Sequence, residues 1–282
     1  MDAVDVGEPD GGVEHRRYSE QNDDLPASKK NAIKPWLIER FCIPPSHNAP
    51  FVHAMEDVLD VVHRAYDPLR PQVCVDETSK QLLDHVRAPI PASPGVPARV
   101  DDEYSRCGTA NIFMAVEPLT GRVMTQATER RTSVDFAKFL RWLSDDQYPA
   151  AEQIVLVMDN LSTHSLAAFY EAFEPAEARR LAQRFELHFT PKHGSWLNVA
   201  EIQLSVLSRQ ALDQRIASLP QLRTVLRAWH AQHDKVVVRW RFKTKEARIK
   251  LLHLYPEIED AAAGGARRGR TPARSALTAS LT

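Results

Sequence analysis

Ile154-Val155-Leu156-Val157-Met158-Asp159 is an unbroken apolar run closed by an acid. Such a run predicts a central strand, from Gln153 to Met158, buried on both faces and leaving Asp159 at its carboxyl end. Pro71-Gln72-Val73-Cys74-Val75-Asp76 has the same form, a short buried strand ending in Asp76. Working outward, Asn111 to Glu117 and Arg122 to Thr128 predict two strands joined as a hairpin by the turn Pro118-Leu119-Thr120-Gly121. Phe185 to Phe189 predicts a fifth strand. Helical spacing places Phe51, Met55, Val58, Leu59 and Val62 on one face of a helix over about 47–65, and Phe136, Phe139, Leu140 and Leu143 on one face of another over Val134 to Leu143. Further helices are expected at about 163–173, 175–184, 199–214, 219–232 and 244–254, and a long loop over 84–105, which is rich in Pro and charge.

The resulting order is three antiparallel strands, then strands reached through helices. It matches an α/β fold of the ribonuclease H-like (retroviral-integrase-like) kind, a mixed five-stranded sheet flanked by helices. Residues 1–28, polar and broken by Pro9, Gly11, Gly12 and Pro26, are expected to be disordered. Residues 29–68 read as a helical segment, with a short helix at Trp36 to Phe41 ended by Pro44-Pro45; 69–256 as the main domain; and 257–282 as a disordered basic tail.

Composition is that of an ordinary globular chain, 282 residues with 43% hydrophobic and 26% charged. No apolar run approaches the ~18 residues of a membrane span, and the start, Met1-Asp2-Ala3-Val4-Asp5, lacks the basic and apolar regions of a secretory signal. Cys42, Cys74 and Cys107 fit neither a disulfide framework nor a zinc pattern, which favours the cytoplasm. The net charge of −1 does not suit a dedicated DNA-binding module, yet it is compatible with an enzyme whose metal site is built of carboxylates. From Arg239 onward ten Lys or Arg stand against four Asp or Glu, either a phosphate-contacting surface or a solvated tail.

In the expected fold the first and fourth strands are neighbours, so Asp76 and Asp159 would open into one crevice. Glu201, in the first turns of the helix at 199–214, would pack across the same end. At about 4 Å and an effective dielectric near 20, each carboxylate pair repels by roughly 4 kcal/mol, so the cluster needs protons or cations. Its oxygen donors suit Mg²⁺ or Mn²⁺. Two ions there could activate a water or 3′-hydroxyl and stabilise the leaving oxygen of a phosphodiester. Among 37 acidic residues a loose Asp…Asp…Glu pattern arises by chance; placement at two strand ends and on one helix separates these three from the rest.

The segments Val73-Cys74-Val75-Asp76-Glu77-Thr78, Val155-Leu156-Val157-Met158-Asp159-Asn160-Leu161-Ser162-Thr163-His164 and Thr190-Pro191-Lys192-His193-Gly194-Ser195-Trp196-Leu197-Asn198-Val199-Ala200-Glu201 resemble those of the mariner-like superfamily of bacterial insertion-sequence transposases, whose catalytic part is the DDE superfamily endonuclease domain. The resemblance covers roughly residues 30–256. It implies a catalytic and metal-binding triad at Asp76, Asp159 and Glu201, Mg²⁺ as the usual ion, cut-and-paste strand cleavage and transfer at transposon ends and target DNA, and action as a homodimer. The second and third acids stand 42 positions apart, more than in many relatives, and Glu174 to Arg184 accounts for the extra residues. Relatives begin with a helix-turn-helix region. Here Lys29 to Pro45 resembles the linker that follows it, so the expectation is a shortened copy without that region. The resemblance implies a bacterial cytoplasmic location, nucleoid-associated when bound to DNA.

Other residues carry two readings each. Asn160 and His164 either hold a metal-bound water or contact phosphate, or else cap a helix and bond a nearby loop. Glu77, turned to the opposite face from Asp76 by strand alternation, reads as a surface or supporting residue. Lys192, His193, Ser195 and Trp196 lie in the loop before Glu201 and either touch the DNA backbone or a splayed base, or leave Trp196 packed beneath the sheet edge. Arg239, Arg241 and Lys243, with Lys245, Arg248 and Lys250 beyond and Trp240 and Phe242 between, form a candidate DNA-backbone surface. Arg130 and Arg131 read as a solvated turn. His230 and His233 lack further ligands at zinc spacing. Three functions compete: a transposase catalytic domain, a non-transposing remnant that binds DNA or the full-length enzyme, and a nuclease that cuts without joining.

Overall fold

The computed structural model describes residues 43–257 other than 162, 163, 234 and 236. The expected disordered segment 1–28, the stretch Trp36 to Phe41 and the tail from 258 onward lie outside the described residues.

Five strands form one sheet in the order β3-β2-β1-β4-β5: β1 Gln72–His85, β2 Tyr104–Glu117, β3 Arg122–Thr128, β4 Ile154–Met158 and β5 Phe185–Phe189. The first three are antiparallel neighbours, β4 runs parallel to β1, and β5 parallel to β4. This is the mixed, ribonuclease H-like sheet that the order of elements predicts. Every residue of β4 is buried, as its unbroken apolar run requires.

Among the described residues seven helices flank the sheet: α1 Ala49–Val62, α2 Ser133–Trp142, α3 Ala168–Ala172, α4 Pro175–Gln183, α5 Val199–Leu207, α6 Leu219–Gln232 and α7 Thr244–Lys250. Strand alternation divides the core between two layers. On one face Cys74, Met114, Val155 and Val157 pack with Leu59 of α1, Val199, Ala200 and Leu204 of α5, and Leu226 of α6. On the other, Val73, Val75, Phe113, Leu156 and Met158 pack with Phe136, Phe139 and Leu140 of α2, Phe169 of α3 and Leu181 of α4. Local signals set the helix starts. Asn48 accepts from Phe51 N at 3.0 Å at the start of α1, and Thr132 and Asp135 form a reciprocal capping box at the start of α2.

The structure differs from expectation in four places. β1 continues nine residues past Asp76, and β2 begins at Tyr104 rather than Asn111, so the expected loop over 84–105 shortens to the connection between them. The extra lengths pair with each other, Lys80↔Ala110 through His85↔Tyr104, as a two-stranded ribbon with Gln81, Asp84, Ser105, Arg106 and Thr109 exposed. A register shift between Leu82 and Leu83 makes Cys107 an extra residue beside Gly108, whose φ of 105° suits glycine. The helix expected at 163–173 spans only Ala168–Ala172. The helix expected at 199–214 ends at Leu207 and continues as a wider π turn, Ser208–Leu212. The last helix ends at Lys250, followed by a single 3₁₀ turn, Leu252–Leu254.

Candidate active site

The parallel register of β1 and β4 runs Gln72↔Val155, Val73↔Leu156, Cys74↔Val157. The ladder ends at Cys74↔Val157 and β4 at Met158, so Asp76 and Asp159 each stand two residues beyond its last pair. Within β1, alternation turns Asp76 toward the face that holds Cys74, Val155 and Val157, the face that α5 covers. Asp76 is therefore the fifth residue of a fourteen-residue strand rather than its last, and it stands where β4 stops and β1 runs on.

Glu201 reaches the same end through Asn198. The Asn198 amide nitrogen donates to the Val75 carbonyl at 3.0 Å, one residue from Asp76, and its amide oxygen accepts from Ala200 N at 3.1 Å. One buried side chain thus caps α5 and ties its first turn to β1, with Glu201 at the third helical position and exposed.

The electrostatics are those of an acid-rich crevice. Burial, offset in part by the Glu77 N–H that donates to Asp76 Oδ1 at 2.8 Å, and then repulsion from Asp159, Glu77 and Glu201, push the Asp76 carboxyl up to about 7. Among the described residues no basic side chain pairs with Asp76 or Glu201. Nor does any group of three or more His, Cys, Asp or Glu side chains among them stand close enough together to hold a metal ion as placed. The donor set, carboxylate oxygens with charge left uncompensated, fits a hard divalent cation.

His164 is buried beside this crevice. Its Nδ1 donates to Asp159 Oδ1 at 2.6 Å, and its Nε2 lies 3.0 Å from Glu77 Oε2. Burial works to lower its pKa, but the hydrogen bond to Asp159 and the Glu77 carboxylate outweigh burial and push it up to about 10, so the ring is a cation at neutral pH. Phe136 covers the ring, centroids 4.5 Å apart. Glu77, read from sequence as a supporting or surface residue, has a side chain only 4% exposed, and Arg131 Nη1 approaches its other oxygen at 3.5 Å. Asn160 is exposed and caps no helix, because α3 begins at Ala168.

The remaining candidates divide into packed and free. Lys192 and His193 are exposed in the loop that enters α5. That loop turns sharply: His193 has a φ of 65°, and a Cβ on Gly194 would come within 2.5 Å of Pro191 Cγ. Trp196 packs inward, 6.5 Å from Trp240 and 6.1 Å from Phe242 between ring centroids. Arg239, Arg241 and Lys243 are exposed, alternating with half-buried Val238, Trp240 and Phe242, which rest on the core. The aromatic trio joins the two basic segments. His230 is engaged by Thr125 Oγ1 at 2.8 Å, and His233 stacks on Trp229, so neither stands ready as a ligand.

Sequence reasoning did not anticipate the role of Asn198 or the contact between Glu77 and His164. Asn198 was signalled by its cap spacing to Glu201, three positions on. The Glu77–His164 contact had no signal, because it joins residues 87 positions apart around the end of the sheet.

A family model for the DDE superfamily endonuclease matches residues 71–223, which include Asp76, Asp159, Glu201, Glu77, His164 and Asn198. No curated protein matches the chain. Among solved structures, the Mos1 mariner paired-end complex with Mn is 16% identical with a TM-score of 0.45, covering 74% of this chain and 62% of that one. The Mos1 transposase paired-end complex with the left transposon end is 17% identical with a TM-score of 0.47, covering 82% and 69%. The mariner Mos1 paired-end complex with Mg is 15% identical with a TM-score of 0.48, covering 90% and 85%. The chain spans less than two thirds of the first of these structures.

Proposed function

Because the chain belongs to the DDE superfamily endonuclease family, we propose that it is the catalytic part of a mariner-like, insertion-sequence transposase that cuts and joins DNA strands with divalent cations. What supports this reading is the set of three acids carried by neighbouring elements. Asp76 and Asp159 each follow the last β1/β4 pair by two residues, Asp159 lies near enough to raise the Asp76 carboxyl, and Asn198 ties the first turn of α5, which carries Glu201, to Val75 of β1.

Asp76, Asp159 and Glu201 would hold two Mg²⁺ or Mn²⁺ ions. Bound there, such ions supply charge to the phosphodiester oxygens and a more acidic water or 3′-hydroxyl for attack. The protein's own share is positioning. Asp76, raised to about 7 without a cation, is the group whose charge a cation would fix. His164 occupies one oxygen of Asp159 and leaves the other free of protein partners among the described residues. Lys192, His193, Arg239, Arg241 and Lys243 offer exposed donors to phosphates, and Trp196, Trp240 and Phe242 support them from below. The substrates are transposon ends and target DNA, the working form is a homodimer, and the place of action is the cytoplasm, on the nucleoid. Among the described residues no helix is long and apolar enough to cross a membrane.

The test is nicking of supercoiled plasmid and joining of labelled oligonucleotides by the purified chain with Mg²⁺, Mn²⁺ or EDTA, alongside Asp159→Asn. Metal-dependent joined products that vanish in the variant support a transposase. Cutting without joining supports a simple nuclease. Folded protein inactive with either metal supports a non-transposing remnant.

A further inference from the structure

We infer that Glu77 is a positioning residue for the metal site: from the opposite face of the sheet it holds His164, and through His164 it fixes which oxygen of Asp159 is left to bind a cation. The inference rests on the proposed metal site.

Alternation places Asp76 and Glu77 on opposite faces of β1, Asp76 with Cys74 and Glu77 with Val75 and against Phe113 of β2. A carboxylate on that face is out of place. Its cross-strand partner is Phe113, which packs against Phe136, and a side chain only 4% exposed carries a large desolvation cost unless it is paired. His164 supplies one partner. It follows β4 and lies under Phe136, so its ring spans the end of the sheet between the two layers.

One nitrogen therefore meets Asp159 Oδ1 at 2.6 Å on the acid side while the other faces Glu77 Oε2 at 3.0 Å on the far side. The second contact lacks hydrogen-bond alignment, and Glu77 Oε2 has no other partner among the described residues. Arg131, half exposed, closes the chain at 3.5 Å from Glu77 Oε1. The chain of contacts Arg131–Glu77–His164–Asp159 ends on a proposed metal ligand.

Removing partners of this kind commonly weakens metal binding by about 10- to 100-fold. Mn²⁺ binding to the full chain, read by electron paramagnetic resonance, tests it in Asp159→Asn, Glu77→Gln, Glu77→Asp, His164→Gln and the Glu77→Gln/His164→Gln double variant. Melting curves in EDTA establish that each folds. The expected result is a roughly 10-fold loss in Glu77→Gln, partial recovery in Glu77→Asp, and no further loss in the double variant beyond His164→Gln, since Glu77 acts through the ring. Wild-type affinity in Glu77→Gln or His164→Gln overturns the inference, as do losses that multiply in the double variant. If Glu77→Gln does not fold, Glu77→Asp and His164→Gln decide by the same criteria. Should wild-type binding be absent, or indifferent to Asp159→Asn, the metal site itself falls and the inference with it. Loss of the inference alone leaves Asp159-dependent binding intact.

Discussion

Asn198 donates its side-chain amide to the carbonyl of Val75, 3.0 Å away and 123 positions earlier in the chain, while the oxygen of the same amide caps the helix that carries Glu201. Two acids that share no secondary-structure element are thereby held at one end of the sheet.

Asn198→Ala removes the cap, about 1 kcal/mol, and leaves a buried carbonyl unpaired, about 1 kcal/mol more. Denaturant unfolding should show a loss of about 2 kcal/mol, and plasmid nicking should fall at least tenfold. Asn198→Asp keeps the capping oxygen but not the donor to Val75. It should melt closer to wild type yet remain impaired in nicking. Full activity in Asn198→Asp would show that the tether to β1 is dispensable.

The Asp76 carboxyl, pushed up to about 7, sets a pH dependence for the cation-free protein. An acid whose folded value lies above its unfolded value of 3.8 favours the folded state while protonated. That advantage is lost as pH rises from about 4 toward 7. In EDTA, stability should therefore fall over that window by about 4 kcal/mol, and Asp76→Asn should flatten the fall. Equal slopes for the two proteins in thermal melts between pH 4 and 8 would contradict the assignment.

Glu186 on β5 behaves in the opposite sense. Burial works to raise it, but hydrogen bonds from Arg64, His188 and Arg70 outweigh burial and hold it at about 2. His188 also meets Asp57, so this network docks α1 on the sheet. The depressed value contributes stability above about 4.5 that is lost as pH falls toward 2. Glu186→Gln should cost about 1 kcal/mol at pH 7, after allowance for solvent screening, and almost nothing near pH 2. A cost independent of pH would mean that packing, not charge, is what the residue contributes.

The alternation of exposed Arg239, Arg241 and Lys243 with packed Trp240 and Phe242 predicts a separation of effects. Replacing the three cations by Ala should leave melting unchanged, while the slope of log affinity against log salt for duplex DNA drops by about 0.9 for each phosphate no longer neutralised. Trp240→Ala should instead destabilise the fold by about 2 kcal/mol. An unchanged salt slope in the triple variant would place the DNA surface elsewhere.

The main frame of the fold was legible in the sequence where burial leaves a simple pattern. β4 is apolar throughout, β3 and β5 fall at the expected residues, and α6 spans 219–232 as read. The outer half of the β1–β2 ribbon was hidden because one polar strand covering another shows no core periodicity. Lys80, Gln81 and Asp84 look like loop residues until their partners on β2 are known. The helix after Asp159 was read too early because Leu166, Ala168 and Phe169 suggest helical spacing, yet regular helix begins only at Ala168. Asp76, Asp159 and Glu201 were legible as acids beside apolar runs, and the structure brings the strands that carry the first two into register. Their supports were less so. The sign of a side chain's face follows from alternation, but a histidine that reaches around the end of a sheet escapes it.

The central claim is that Asp76, Asp159 and Glu201 share one cation site, and iron-directed cleavage of the polypeptide tests it most directly. Fe²⁺ is placed in the site in the absence of Mg²⁺, and ascorbate with peroxide then generates hydroxyl radicals that cut the backbone beside the bound metal. Fragments ending near residues 76, 159 and 201, suppressed together by excess Mg²⁺ and lost together in Asp159→Asn, are the predicted result. Cleavage confined to other positions, or cuts near the three acids that respond independently to Mg²⁺ and to the substitution, would contradict a single shared site.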